Sequence, residues 1–413
     1  MISRRSTFKA AAGVAAAASI GVKAAQAADK VVKIAIDLSF TGADADSAAR
    51  VANGGILAFE EANANHTVPG YTFLVEKFDD ATATAGQYDP AQAATNARKI
   101  VSDKGFVAAL GPQMSGAGKA MAPILSQGDV ATITPSSTNP DITDPKFAAQ
   151  YRPAGKAIYF RTVATDAFQG PNMANYMMDV LKVKSVYVLD DSGAYGVGLA
   201  DAFQAQAKKR GMNVMGRDRL DPKEADYSAV LTKIKSLNPQ ALYYGGVGQA
   251  GVKLVKQAYD IVPGLIKAGG DGIYGADILK GAGFPAVEGW YATNAAPHVT
   301  EDPKTKAFGE AFYKRFGMYD EDYSVTCYVG AQVIIAAVKS LVTAGKPVTR
   351  DTVRDAINGT KLADSLIGPV EFDANGDIKN KIISVFQVKE DKTKPLDDPD
   401  SQFKYIGVAQ AIA

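Results

Sequence analysis

Cys327 is the only cysteine in this chain of 413 residues, and His66 and His298 are its only histidines. One cysteine excludes an intramolecular disulfide and any multi-cysteine metal site. Two histidines far apart in sequence leave no material for a histidine-rich metal centre. The sequence also lacks G-x-S-x-G and H-E-x-x-H, so the nucleophile elbow and the helical zinc pair are absent. Most nucleophilic and metal-dependent enzyme classes go with them, and no cofactor or metal is expected. A formal net charge of +1 provides no positive excess to attract nucleic acid. Long apolar runs are missing too. Residues 327–342 come nearest, but they number only 16 and include Gln332 and Lys339. That is a buried core helix rather than a membrane span.

What is present describes an exported globular protein. Hydrophobic residues make up 47% and charged residues 22%, the balance of a soluble fold with a large core. At the start, "SRRSTFK" resembles a twin-arginine export signal. A short alanine-rich apolar run (10–22) follows, then Lys23 and the small-x-small pattern "AQA" ending at Ala27. The expectation is cleavage near Ala27 and a soluble periplasmic protein exported by the twin-arginine route. The removed segment carries Arg4, Arg5, Lys9 and Lys23 and no acid, so the mature chain is mildly acidic.

Beyond the leader, strand-like and helix-like patterns alternate. "VVKIAIDLS" alternates apolar and polar residues, and "SAARVANGGILAFEEANAN" has helical spacing. The same succession runs through "FVAALGP", "GKAMAPILSQG" and "VATITP", and starts again after "AIYFRTVAT". Such alternation predicts βαβ units and parallel sheets, and its repetition predicts two similar lobes. Near the end, "GPVEFDANGDIKNKIISVFQV" predicts a hairpin turning at Asn375-Gly376. The acids Asp373 and Asp377 resemble a calcium loop, but Ile378 stands where that loop needs glycine.

Two phosphate-binding patterns fail on inspection. "SGAGKA" has Gln113 in place of the first glycine and Ala120 where a hydroxyl should hold magnesium. "GDGIYG" (270–275) is followed by "KGAGFP", which breaks the helix a dinucleotide fold requires. The informative polar residues lie where predicted strands end. Ser115 follows "FVAALGPQM", and Ser136, Ser137 and Thr138 follow "VATITP". Ligands of open α/β sheets bind beyond the carboxyl ends of strands. Hydroxyls beside free helix N-terminal amides suit a carboxylate, although helix capping uses the same residue types.

The ordered set "KIAIDLSFTG", "EKFDDAT", "GPQMSGAGKAMAPIL", "ATITPSSTNPDIT", "YFRTVATDAFQGP", "DDSGAYGVGLADAF", "DYSAVLTKIKSLNPQALYYGG", "GGDGI" and "GPVEFDANGDIK" resembles the periplasmic leucine/isoleucine/valine-binding proteins of ABC importers. The resemblance covers nearly all of the mature chain. It implies an α/β protein of the type I periplasmic binding fold: two Rossmann-like lobes with parallel-dominated sheets, joined by a three-segment hinge. Lobe one would be 31–161 with 293–367, and lobe two 162–292 with 368–413. It implies an amino-acid ligand, aliphatic or branched-chain, bound between the lobes by a monomer and delivered to an inner-membrane permease, with no chemistry on the ligand. Ser115, Ser136, Ser137 and Thr138 would hold the ligand carboxylate, Asp271 its ammonium, and Tyr195 would close over it. Ser47 and Val247 stand where the branched-chain binders carry aromatic residues, which implies a wider or differently shaped pocket. Other small solutes (an aromatic or aliphatic carboxylate, an amide, urea) or a ligand-sensing role are the alternatives.

Overall fold

The computed structural model describes residues 29–299 and 302–408; the expected export segment, 1–27, lies outside them. The first half of the chain alternates as the sequence predicts. Its elements are β1 (Lys30–Leu38), α1 (Ala45–Ala64), β2 (Tyr71–Asp79), α2 (Pro90–Ser102), β3 (Phe106–Leu110), α3 (Ser115–Gly128), β4 (Ala131–Thr134), the short α4 (Ala148–Tyr151) and β5 (Tyr159–Arg161). The strands form one sheet in the order β2-β1-β3-β4-β5, and every pairing in it is parallel. β3 and β4 are buried along their whole length; β3 reads as a continuous apolar run, and in β4 the buried hydroxyls of Thr132 and Thr134 donate to Gly111 O and Pro112 O.

The second half repeats the scheme. It runs through α5 (Asp166–Asp179), β6 (Ser185–Asp190), α6 (Ala194–Lys209), β7 (Asn213–Arg219), α7 (Ser228–Leu237), β8 (Ala241–Gly245), α8 (Gly248–Ile261), β9 (Ile266–Gly269), α9 (Ala276–Ala282) and β10 (Tyr291–Asn294). The chain continues with α10 (Pro303–Phe316), α11 (Asp322–Thr343), α12 (Arg350–Asn358), β11 (Lys361–Leu362), β12 (Val370–Glu371), β13 (Ser384–Val388), α13 (Pro399–Gln402) and β14 (Phe403–Val408). The second sheet has the order β14-β13-β10-β9-β8-β6-β7. It is parallel from β7 to β10 and antiparallel where β13 and β14 join its edge.

In each sheet the strand order reverses direction once: between β1 and β3 in the first, and between β6 and β8 in the second. At such a point the loops at the carboxyl ends leave toward opposite faces and open a crevice. The molecule therefore has two crevices, and the loops that line them supply the site described below.

α11 is long and apolar enough to cross a membrane by length and composition, yet two-thirds of its apolar window is buried inside the fold. Ile334 and Val338 are fully buried while Lys339 is exposed. A buried side chain of this kind contributes roughly 1.5–3 kcal/mol. α11 packs against α1, and Gly54 makes that approach possible. A Cβ there would sit 2.0 Å from the Ser324 carbonyl oxygen, so any side chain would force the helices apart.

The expected hairpin is only partly formed. Its turn exists: Asp373 Oδ1 accepts from Asn375 N at 2.8 Å and Asp377 N at 3.1 Å, and Phe372 bridges Ile378. This loop of acids is thus an Asx turn. Its second arm leaves, because β13 pairs with β10 and β14 instead. Residues 372–377 still pack on the first lobe: Phe372 meets Phe160 at 5.1 Å, and Arg161 N donates to Gly376 O at 3.0 Å. The chain joins the second sheet at Ser384.

Candidate functional site

β3 delivers Gln113 and Met114 to the start of α3, whose first residue is Ser115. No side chain caps this helix, so its first amides are not taken up by a cap. β4 delivers the loop 135–139 beside it. There Thr134 Oγ1 accepts from Ser137 N at 2.9 Å and donates to Pro112 O at 2.7 Å, tying the two strand ends together. Ser136 Oγ donates to Gln113 O at 3.3 Å. Ser115 Oγ accepts from Asn139 N at 3.1 Å and from Ser137 Oγ at 3.4 Å. Both lone pairs of Ser115 are then in use, and its own proton remains available as a donor.

Facing this cradle is Asp271, directly after Gly270 at the end of β9, and 7% exposed. Tyr195 of α6 and Gln169 of α5 donate to its Oδ1, the latter at 3.0 Å. Tyr323 of α11 donates to its Oδ2. A carboxylate offers about four acceptor sites, so one on Oδ2 remains. Gln169 also donates to Asp166 Oδ1 at 3.0 Å. Burial raises the pKa of both acids. The hydroxyls of Tyr195 and Tyr323 and the amide of Gln169 oppose the shift at Asp271, whereas the charge of Asp271 pushes Asp166 further up. At Asp166 the bonds from Thr138 and Gln169 and the charge of Arg161 work against that rise, so burial and donors pull in opposite directions at both acids.

Between cradle and acid lies a cavity of about 60 Å³ lined by Ser115, Ser136, Tyr195, Asp271, Ser47 and Val247, among others. The loops of both crevices thus meet at one place. Two predicted residues stand behind the wall. Ser137 and Thr138 are 1% and 0% exposed and do not line the cavity. The loop turns them away because Arg161 binds the carbonyls of Ser137 and Asn139, and Thr138 O accepts from Asp166 N at 2.9 Å. Ser137 touches the site only through Ser115. Tyr195 lines the cavity as an aromatic wall, but its hydroxyl is committed to Asp271 and accepts from Gly272 N at 3.1 Å.

Tyr323, Gln169, Asp44, Gln113, Asp277 and Glu321 were not singled out by the sequence. Asp277 lies six positions after Asp271 in "GDGIYGADIL", a signal of sorts. Glu321 and Tyr323 carry none, because the cap and first turn of a core helix read as structure. Ser47 connects this second group: its Oγ donates to Glu321 at 2.6 Å, its N–H donates to Asp277 at 3.1 Å, and it accepts from Gln113 at 3.3 Å.

The cleft is shut. Asp277 reaches Ser47, Lys280 reaches Asp46 at 3.3 Å, Asn139 donates to Ala194 O at 2.8 Å, and Gln249 donates to Ala85 O at 3.3 Å. Each bond runs from a helix or loop that follows a strand of one sheet to one that follows a strand of the other.

A family model described as periplasmic binding protein matches residues 31–394. The Leu/Ile/Val-binding protein homolog 3 of Brucella melitensis is 30% identical over 384 residues, which is 93% of this chain and 98% of the relative. The crystal structure of a leucine binding protein, LivK, from Thermotoga maritima superposes with a TM-score of 0.78 at 26% identity, covering 92% of this chain and 98% of that one. A solute binding protein of an ABC transporter from R. palustris, in complex with benzoate, shares the fold with a TM-score of 0.76 at 18% identity, covering 93% and 98%.

Proposed function

Because the chain belongs to the periplasmic binding protein family, we propose that it binds an amino acid in the interlobe cleft for an ABC importer of the branched-chain amino acid type. Supporting this is the juxtaposition of an uncapped helix N-terminus with Ser115 and Ser136 on one wall and Asp271 on the other. A zwitterion bridges them: its carboxylate meets hydroxyls and amides, its ammonium the free acceptor of Asp271. Ser137 and Thr138 act from behind, by holding Ser115 and the loop. No reaction on the ligand is required. The importer's permease is the partner, and a monomer is sufficient for the exchange. Mass spectrometry of the small molecule released on denaturation tests the reading directly. Recovery of an α-amino acid upholds it; recovery of a benzoate or another solute without an amine replaces it.

The lobe division belongs to the same proposal. Lobe one is 31–161 with 293–367, and lobe two 162–292 with 368–413. Phe372 and Asp377, in lobe two by this division, contact Phe160 and Arg161 at the end of lobe one, as residues close to a crossing between lobes would. Each cross-cleft bond contributes only about 0.5–1.5 kcal/mol net, and a ligand that bridges Ser115 and Asp271 adds to them in the closed form. The radius of gyration measured by small-angle scattering is expected to fall on saturation with ligand; an unchanged value with binding confirmed calorimetrically contradicts hinge closure.

Export by the twin-arginine route is likewise proposed, on Arg4–Arg5 ahead of the weakly apolar run. Replacing both with Lys is expected to leave full-length precursor in the cytoplasm. Normal periplasmic accumulation of that variant assigns the leader to the general secretory route.

A further inference from the structure

The cavity has a second set of polar groups. Asp44 and Asp277 line it together with Ser47 and Gln113, and among the described residues no lysine or arginine does. Glu321 stands behind Ser47, bonded to its hydroxyl at 2.6 Å. Asp44, Gln113 and Glu321 are 5%, 8% and 2% exposed. Yet Asp44 Oδ2, Gln113 Oε1 and Glu321 Oε2 have no hydrogen-bond partner. Buried polar atoms are ordinarily satisfied, and all three of these are acceptors. The nearby cations are already committed elsewhere. Arg50 donates to Tyr319 O at 2.6 Å and to Asp46 and Asp397, and Lys280 pairs with Asp46. An aliphatic side chain placed here would leave these acceptors buried and unanswered.

Resting on the reading that the cleft takes an amino acid, we propose that the side chain of that amino acid ends in a cation, an ammonium or a guanidinium, held by Asp44, Asp277 and Gln113 with Glu321 as the nearby counter-charge. The ligand is then a basic α-amino acid. Its α-groups bridge Ser115 and Asp271, and its tail supplies the N–H donors the unpartnered acceptors lack. Burial holds the Glu321 carboxyl at about 8, Asp44 at about 7 and Asp277 at about 6. The acids also raise one another: Asp277 acts on Asp44 and Glu321, and Asp46 on Asp277 and Glu321. Arg50 and the hydrogen bonds from Ser47 oppose this at Glu321 and Asp277. A bound cation would ionise the set and remove the repulsion.

Calorimetric titration of the exported protein with L-lysine, L-arginine and L-leucine is the test, first on the parent and then on Asp44→Asn and Glu321→Gln. Asp44 Oδ2 has no hydrogen-bond partner, so Asp44→Asn removes charge at an atom that holds no structural contact; a thermal melt checks both folds. Lysine or arginine is expected to bind at least about tenfold tighter than leucine, and each variant is expected to reduce that preference by about tenfold. Leucine binding as tightly as the basic amino acids, or a preference that neither variant changes, overturns the cationic tail while leaving the amino-acid reading intact. Binding of none of the three overturns the amino-acid reading itself.

Discussion

Asp271→Ala is expected to weaken amino-acid binding by roughly 30-fold to several thousand-fold, because losing one member of a buried charge pair costs about 2–5 kcal/mol and each tenfold corresponds to about 1.4 kcal/mol. The carboxylate is 7% exposed and already accepts from Tyr195, Tyr323 and Gln169. Those donors hold it in one orientation, so on the proposed reading a ligand ammonium would meet a prepared acceptor and order little on binding. Asp271→Asn keeps the volume but removes the charge and should fall in the same range. Ser137→Ala should cost less, since Ser137 reaches the site only through Ser115 and the α3 amides remain. The ranking is read by calorimetry with the natural ligand. If Asp271→Ala binds as tightly as the parent, the ammonium assignment is wrong and an acid without an amine becomes the better ligand.

Arg161→Met is expected to lower stability by about 3–5 kcal/mol, the cost of breaking a buried ion pair by removing one partner. Arg161 is fully buried. Its Nε donates to Asp377 at 2.7 Å, and its remaining nitrogens reach the carbonyls of Ser137 and Asn139 and, at 3.1 Å, the Thr143 hydroxyl. Removing it leaves the Asp377 carboxylate, 17% exposed, with the Thr143 hydroxyl but no cation, and frees the carbonyls of Ser137 and Asn139 in the loop that carries Ser136. Arg161→Lys should recover little, because one ammonium cannot reproduce a fork that bonds four groups at fixed angles. Urea unfolding followed by circular dichroism measures the shift. A midpoint equal to the parent's would show that the loop is held by other means. Ligand affinity should fall as well, since Ser115 takes a bond from Asn139 N in the same loop.

Much of this site was legible from local pattern. Strand ends followed by serine located Ser115 and Ser136, because a parallel strand's end and the next helix's start are adjacent in sequence and in space. The same locality made 327–342 a core helix. Ser137 and Thr138 share residue types and position with Ser136, so no local rule could separate them; Arg161 does so by holding their loop. The hairpin at Asn375-Gly376 shows the same limit. Its turn follows from Asp373 bonding its neighbours, but the second arm's partner is β10, far back in the chain.

By itself the sequence determined the alternation of strands and helices and its repetition, which follow from periodicities of a few residues; Asp271 was reached only through the ordered motifs of the family resemblance. Only the tertiary structure decided what surrounds that acid. Tyr323 reaches it across 52 positions, and Ser47 meets Glu321 across 274. The acids of the proposed tail site come from the cap of α1, the first turn of α9 and, behind Ser47, the cap of α11. Each, read alone, is an ordinary charge near a helix start; folding buries them together around one cavity.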